Sequence, residues 1–212
     1  MKIVFSRRLF ALLLLGASTL LVLPVRAADE AADALIKRLS TEVLDSIKAD
    51  KAIQSGDISR IIALVDAKVM PNVNFQRMTA MAVGPGWRQA TPEQQKRLQD
   101  EFKILLVRTY AGALTQVSDQ TIIIKPMRGA AEDKEVVVRT EVKGRGDAIQ
   151  LDYRLEMTPG EGAGWKIFNM NVLGVWLVET YRSQFAQEIS AKGINGLIAT
   201  LAERNKANAK KG

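Results

Sequence analysis

The chain has 212 residues, 47% of them hydrophobic and 25% charged, which fits one globular domain better than two. It contains no cysteine and no histidine. Disulfide scaffolds, thiol nucleophiles, Ser-His-Asp catalysis and zinc–histidine sites are therefore excluded. A net charge of +7 invites a nucleic-acid reading, but its distribution argues against one.

The first 27 residues have the pattern of an export signal. Lys2, Arg7 and Arg8 precede an uncharged stretch from Leu9 to Val25 that includes the run Leu12 to Leu15. Val25-Arg26-Ala27 places small residues at the −3 and −1 positions of a cleavage site after Ala27. The stretch is short for a membrane span and is interrupted by Gly16 and Pro24. Residues 1–27 hold four of the 30 Lys and Arg and none of the 23 Asp and Glu, so their removal lowers the net charge to +3. Residues 203–212 hold four further cations against Glu203 alone, which leaves residues 28–202 neutral. The basicity lies in a tag and a tail, and no nucleic-acid partner is expected. A chain of the remaining length buries roughly 70% of its unfolded surface, enough to fold without staples and to enclose a cavity.

In chain order, Leu35, Ile36, Leu39, Val43, Leu44 and Ile47 follow helical spacing and predict a helix over 31–49. Asp57 is a cap for a second helix that carries Ile58, Ile61, Ile62, Leu64, Val65 and Val69 and stops at Pro71. Phe75, Met78 and Met81 predict a short third helix, broken by Gly84-Pro85-Gly86. Thr91-Pro92-Glu93-Gln94 is a capping box with proline in the first turn, and its helix runs to about Val117. The period then changes to two. Residues 121–125, 135–143, 149–157 and 165–172 read as four antiparallel strands joined by short polar or glycine-rich loops. The runs Ile122 to Ile124 and Val136 to Val138 are apolar on both faces, so part of the sheet should be covered twice. Helix returns over 175–189 and 194–204, with Gly193 between. Residues 205–212 read as a disordered basic tail. The expected architecture is one α+β domain over 28–204, with an antiparallel sheet wrapped by N-terminal and C-terminal helices.

Little in this sequence supports catalysis. Gly84-Pro85-Gly86 leads into Trp87 rather than a Lys-Ser/Thr pair, so it is no phosphate loop. The acidic pairs Asp100/Glu101 and Glu132/Asp133 read as solvated charge, and no calcium-loop spacing occurs. No catalytic residue, metal site or cofactor is expected. The apolar and aromatic residues of the capped helix, the strands and the segment after them are compatible with a filled core or with a hollow one. Arg182 remains open to three readings: a phosphate, a partner surface or an ion pair.

Several motifs resemble a known family. Asn74-Phe75-x-x-Met78-Thr79, Gly84-x-x-Trp87-Arg88-x-Ala90-Thr91-x-x-Gln94 and Glu101-Phe102-x-x-Leu105-Leu106-Val107-x-Thr109-Tyr110 form the first half of the pattern. Tyr153-Arg154-Leu155, Gly164-Trp165-Lys166-Ile167, Gly174-Val175-x-Leu177-Val178 and Tyr181-Arg182-x-Gln184-Phe185 form the second. Together they resemble the MlaC, or toluene-tolerance, family of periplasmic phospholipid-binding proteins of the maintenance-of-lipid-asymmetry (Mla) pathway. Asn169, Trp176 and Thr180 depart from it, standing where aspartate, serine and asparagine are usual. The resemblance implies a curved sheet around a deep apolar pocket for phospholipid acyl chains, with bound phospholipid as cargo. It also implies exchange with an outer-membrane lipoprotein complex and an inner-membrane ABC transporter complex. The expected wall residues are Phe75, Met78, Phe102, Leu105, Tyr110, Val138, Leu151, Tyr153, Leu155, Ile167, Val175, Leu177 and Tyr181. The competing reading is a non-enzymatic envelope module with a solid core and a protein partner.

Overall fold

The computed structural model describes residues 30–127 and 133–209. The predicted signal peptide, Glu132 and residues 210–212 lie outside the described residues. The chain opens with α1 (Ala32–Ala49), whose buried face of Ala32, Leu35, Ile36, Leu39 and Ile47 is the predicted stripe. Asp50 ends it and caps the one-turn α2 (Lys51–Gln54) by accepting from the Ala52 and Ile53 amides. Asp57 caps α3 (Ile58–Leu64) in the same way through Ser59 and Arg60. A π-helical turn (Val65–Val69) and a 3-10 turn (Met70–Asn72) then lead to α4 (Phe75–Val83), capped by Asn74. Gly84, at φ 68°, starts a 3-10 segment (Gly84–Gln89) in a conformation that a β-carbon would strain. The capping box forms as expected: Gln94 N–H donates to Thr91 Oγ1 at 3.3 Å and Thr91 N–H to Gln94 Oε1 at 2.9 Å. The helix it opens, α5, spans Pro92–Leu114.

Five strands follow as an antiparallel meander in the order β1-β2-β3-β4-β5. They are β1 (Thr121–Ile124), β2 (Glu135–Lys143), β3 (Ile149–Met157), β4 (Trp165–Val172) and β5 (Val175–Trp176). The first four match the predicted runs, and β5 was not expected. Leu173 and Gly174 turn the chain at φ 53° and 88°, so Val175 returns beside Val172 as strand rather than helix. The register shifts between Arg154 and Leu155, the kind of bulge that bends a sheet. The other part of the β4 edge takes up the segment before α4, where Asn74 N–H donates to Ile167 C=O at 2.8 Å. That covers ladder groups left free by the short β5.

The chain ends in α6 (Leu177–Ala209), broken at Gly193 (φ 69°, ψ −175°) where the sequence predicted a break. The predicted disordered tail is corrected over 205–209, which continue the helix. Asn205 is buried and donates to both the carbonyl and the carboxylate of Glu101, at 2.9 and 2.8 Å. That contact also corrects the reading of Glu101 as solvated charge, whereas Asp100 pairs with Lys96 on the exposed face of α5. Double covering of the sheet does not extend to β1, where Ile123 remains 38% exposed.

Candidate functional site

The predicted wall residues divide between two apolar clusters. Phe75, Met78, Phe102, Leu105, Leu177 and Tyr181 lie in a helical cluster built by α4, α5 and α6, with Tyr110 half-buried against it. Phe102 is its centre, with ring centroids 4.9 Å from Tyr181, 5.2 Å from Phe185 and 5.8 Å from Phe75. Edge-on aromatic contacts of this kind add to ordinary burial. Val138, Tyr153, Leu155 and Ile167 lie in a second cluster between α1 and the inner face of the sheet, with Leu151 half-buried against it. Val73 and Met170 touch both clusters.

A seam separates the two clusters. On the sheet, Leu151 is the partner of Val172 and Tyr153 of Met170. Leu151 packs against the sheet cluster and Val172 against the helical one, so the boundary passes between them. Leu106 and Tyr110 of α5 fringe the helical side and are also half-buried. Helix α5 packs on α6, α3 and α4 rather than broadly on the sheet. The seam is therefore lined by half-buried apolar side chains.

One end of this seam carries exposed apolar side chains. Val175 is 50% exposed and pairs with Val172, while Ile149, two residues before Leu151 on the same face, is 39% exposed. Leu173, at the hairpin tip, is 65% exposed. Val175, half-exposed in the two-residue β5, therefore lies at the rim of this seam. A continuous apolar path leads from Leu173, Val175 and Ile149 through Leu151 and Val172 to Tyr153 and Met170. Along it and beside it, burial pushes the hydroxyl pKa of Tyr153, Tyr110 and Tyr181 up, so the interior presents neutral groups.

The N-terminus of α6 is pinned next to this path. Asn169 is fully buried, and its Oδ1 accepts from the amides of Met170 and Val178 at 2.9 and 3.1 Å. Its Nδ2 donates to Glu179 at 2.8 Å. Arg154 pairs with the other Glu179 oxygen, and its guanidinium lies 4.0 Å from the Trp176 ring centroid. Two of the departures from the family pattern thus take part in one latch: Asn169 supplies the donor that Glu179 requires, and Trp176 the ring under Arg154. Thr180 only donates to the Trp176 carbonyl, at 3.0 Å.

Sequence reasoning missed a different feature. A cleft of about 510 Å³ lies between α4, the 3-10 segment 84–89 and α6, lined by Arg77, Met81, Trp87, Arg88 and Arg182 among others. No predicted wall residue lines it. Seven of its eight lining residues fall within 77–88, and only tertiary structure brings Arg182, 94 positions beyond Arg88, beside them. Among the described residues no group of acidic side chains is placed to hold a metal ion, and no helix is long and apolar enough to cross a membrane.

Comparison with known proteins agrees with the fold. The family model described as MlaC protein matches residues 37–203. The chain is 29% identical to toluene tolerance protein ttg2D of Pseudomonas putida, over 90% of this chain and 85% of that one. It is 21% identical to the intermembrane phospholipid transport system binding protein MlaC of Haemophilus influenzae, over 96% and 95%. Among solved structures, the phospholipid-binding protein of Ralstonia solanacearum, in complex with a phospholipid, superposes with a TM-score of 0.81. The two share 47% identity, and the match covers 86% of this chain and 99% of that one. With a family match over most of its length and an α+β meander wrapped by helices, this chain belongs to the MlaC protein family.

Proposed function

We propose that the mature chain is a periplasmic phospholipid carrier that holds acyl chains in the seam between α5 and the inner face of the sheet. The observation that carries this reading is the 47% identity to a protein solved with a phospholipid bound, in the same fold. The apolar path from the rim at Leu173 and Val175 to Tyr153 and Met170 gives such chains a route inward. The two clusters part along the Leu151–Val172 line so that the lipid replaces contacts now made across it. No enzymatic step is part of this function.

Energetics favour handover over free release. Burying a methylene is worth about 0.8 kcal/mol, so two chains with roughly 28 methylenes gain about 22 kcal/mol over water. Escape into water is therefore slow, and unloading requires a surface that takes over the lost contacts. In this reading that surface is an outer-membrane Mla lipoprotein complex at one end and an inner-membrane Mla ABC transporter complex at the other. Rapid lipid release into plain buffer without any acceptor would contradict the handover.

A phospholipid with a photoreactive group near the end of one acyl chain tests the location. Cross-links at Leu106, Tyr110, Leu151 or Val172 are expected. Cross-links confined to the outer face of the sheet would overturn it.

A further inference from the structure

The cleft between α4, residues 84–89 and α6 has the make-up of a binding site that the seam does not use. Its floor is apolar, formed by Ala80, Met81, Pro85 and Trp87, and Met81 and Trp87 rest on the helical cluster. Its charged members are Arg77, Arg88 and Arg182, with no carboxylate and no lysine in the lining. Arg77 is already committed: it pairs with Glu156 and Glu135 and its guanidinium stacks 3.7 Å from the Phe168 ring centroid. Arg88 and Arg182 are exposed and make no ion pair among the described residues. The nearest acid on α6, Glu179, is taken by Arg154 and Asn169. Arg182 Nε lies 3.6 Å from the point where a β-carbon on Gly84 would sit, so its guanidinium is held over the turn. Two free guanidinium forks beside an apolar floor match an anion with a small organic body, because a fork binds phosphate through paired hydrogen bonds. The volume is within the range of small-molecule sites. A compact cleft of this kind suits a head group better than an extended acidic peptide.

We propose that this cleft binds the phosphate of a small organic phosphate ester, clamped by Arg88 and Arg182 with its organic part on Met81 and Trp87. The proposal does not depend on what fills the seam. The source of the phosphate is either a lipid head group presented at a bilayer or a soluble ester, and the test separates them.

The mature chain is titrated with glycerol 3-phosphate while the indole N–H signal of Trp87 is followed by NMR. A saturable shift is expected, and Arg88→Ala with Arg182→Ala should weaken binding at least about tenfold, the equivalent of 1.4 kcal/mol. Arg88→Lys with Arg182→Lys should fall between, since charge is kept and the fork is lost. Both positions are exposed, and an unchanged melting curve confirms that the variants fold. No saturable shift, or equal binding by the double alanine variant, would overturn the proposal. A polyglutamate peptide that binds where glycerol 3-phosphate does not would reassign the cleft to a protein partner and overturn it too. Flotation with phosphatidylglycerol vesicles, lost in the double alanine variant, would assign the phosphate to a membrane head group. Binding of the soluble ester without flotation would assign it to a free ester. Failure here leaves co-purified lipid in the seam untouched, so the two sites are judged separately.

Discussion

Replacing Asn169 by aspartate, the residue usual at this position in the family pattern, should destabilise this chain in a pH-dependent way. Asn169 is fully buried, and its Nδ2 donates to the Glu179 carboxylate at 2.8 Å. Aspartate keeps the acceptor for the Met170 and Val178 amides but replaces that donor with a second carboxylate. A hydrogen bond to a charged group is worth about 1.5–3 kcal/mol, and repulsion from Glu179 comes on top. We expect a loss of about 2–3 kcal/mol at pH 7, or a melting temperature lower by about 5–10 °C for a domain of this size. The introduced carboxyl has its folded pKa raised by burial and by Glu179. Its penalty is therefore full above that raised pKa and fades as pH falls and the carboxyl becomes a donor to Glu179. Urea denaturation of Asn169→Asp and of wild type, at pH 7 and at pH 5, measures both points. A variant as stable as wild type at pH 7, or equally penalised at both pH values, would refute the latch.

Three further outcomes follow from the geometry. Phe102→Ala removes the centre of the aromatic cluster and should lower stability by about 3–5 kcal/mol in denaturant titration; a loss under 1.5 kcal/mol would mean the cluster is loosely packed. Leu173→Asn places a residue tolerant of the left-handed conformation at φ 53°, so stability should rise by up to about 1 kcal/mol. The same change removes the most exposed apolar residue of the rim, so fluorescent-lipid uptake from vesicles should slow; unchanged uptake would exclude Leu173 from the entry path. Burial raises the Glu179 pKa, but the hydrogen bond from Asn169 and the ion pair with Arg154 outweigh it and hold the carboxyl below its usual value. Its contribution is present above the unfolded pKa and is lost as pH falls through the lower folded value, so the protection factors of the amides at Leu177–Tyr181, corrected for the intrinsic pH dependence of exchange, should fall below about pH 4. Protection factors there that do not change with acid would contradict the role given to Glu179.

Local signals in the sequence account for most of the fold. The Thr91/Gln94 box, Asp57 and Gly193 each act through neighbours within a few residues, so caps and breaks appear where the sequence places them. Strands β1 to β4 are legible because inward residues such as Tyr153 and Leu155 follow a period of two. Strand β5 is not, since two residues show no period and its existence depends on the Leu173–Gly174 turn. The continuation of α6 past residue 204 depends on Asn205 reaching Glu101, a contact across 104 positions. Periodicity identified which side chains are inside but not which pairs form the seam, because that depends on which cluster Leu151 and Val172 each join. The arginine cleft itself was not legible, because Arg77 and Arg88 look like ordinary surface cations until α6 brings Arg182 beside them.

The central claim is that this chain holds phospholipid, and native mass spectrometry of the mature protein purified without detergent tests it most directly. The account predicts a mass excess of one phospholipid, released on denaturation and identified by solvent extraction. A bare polypeptide mass, in protein that also takes up no phospholipid from vesicles, would contradict it and leave a solid-core module with a protein partner.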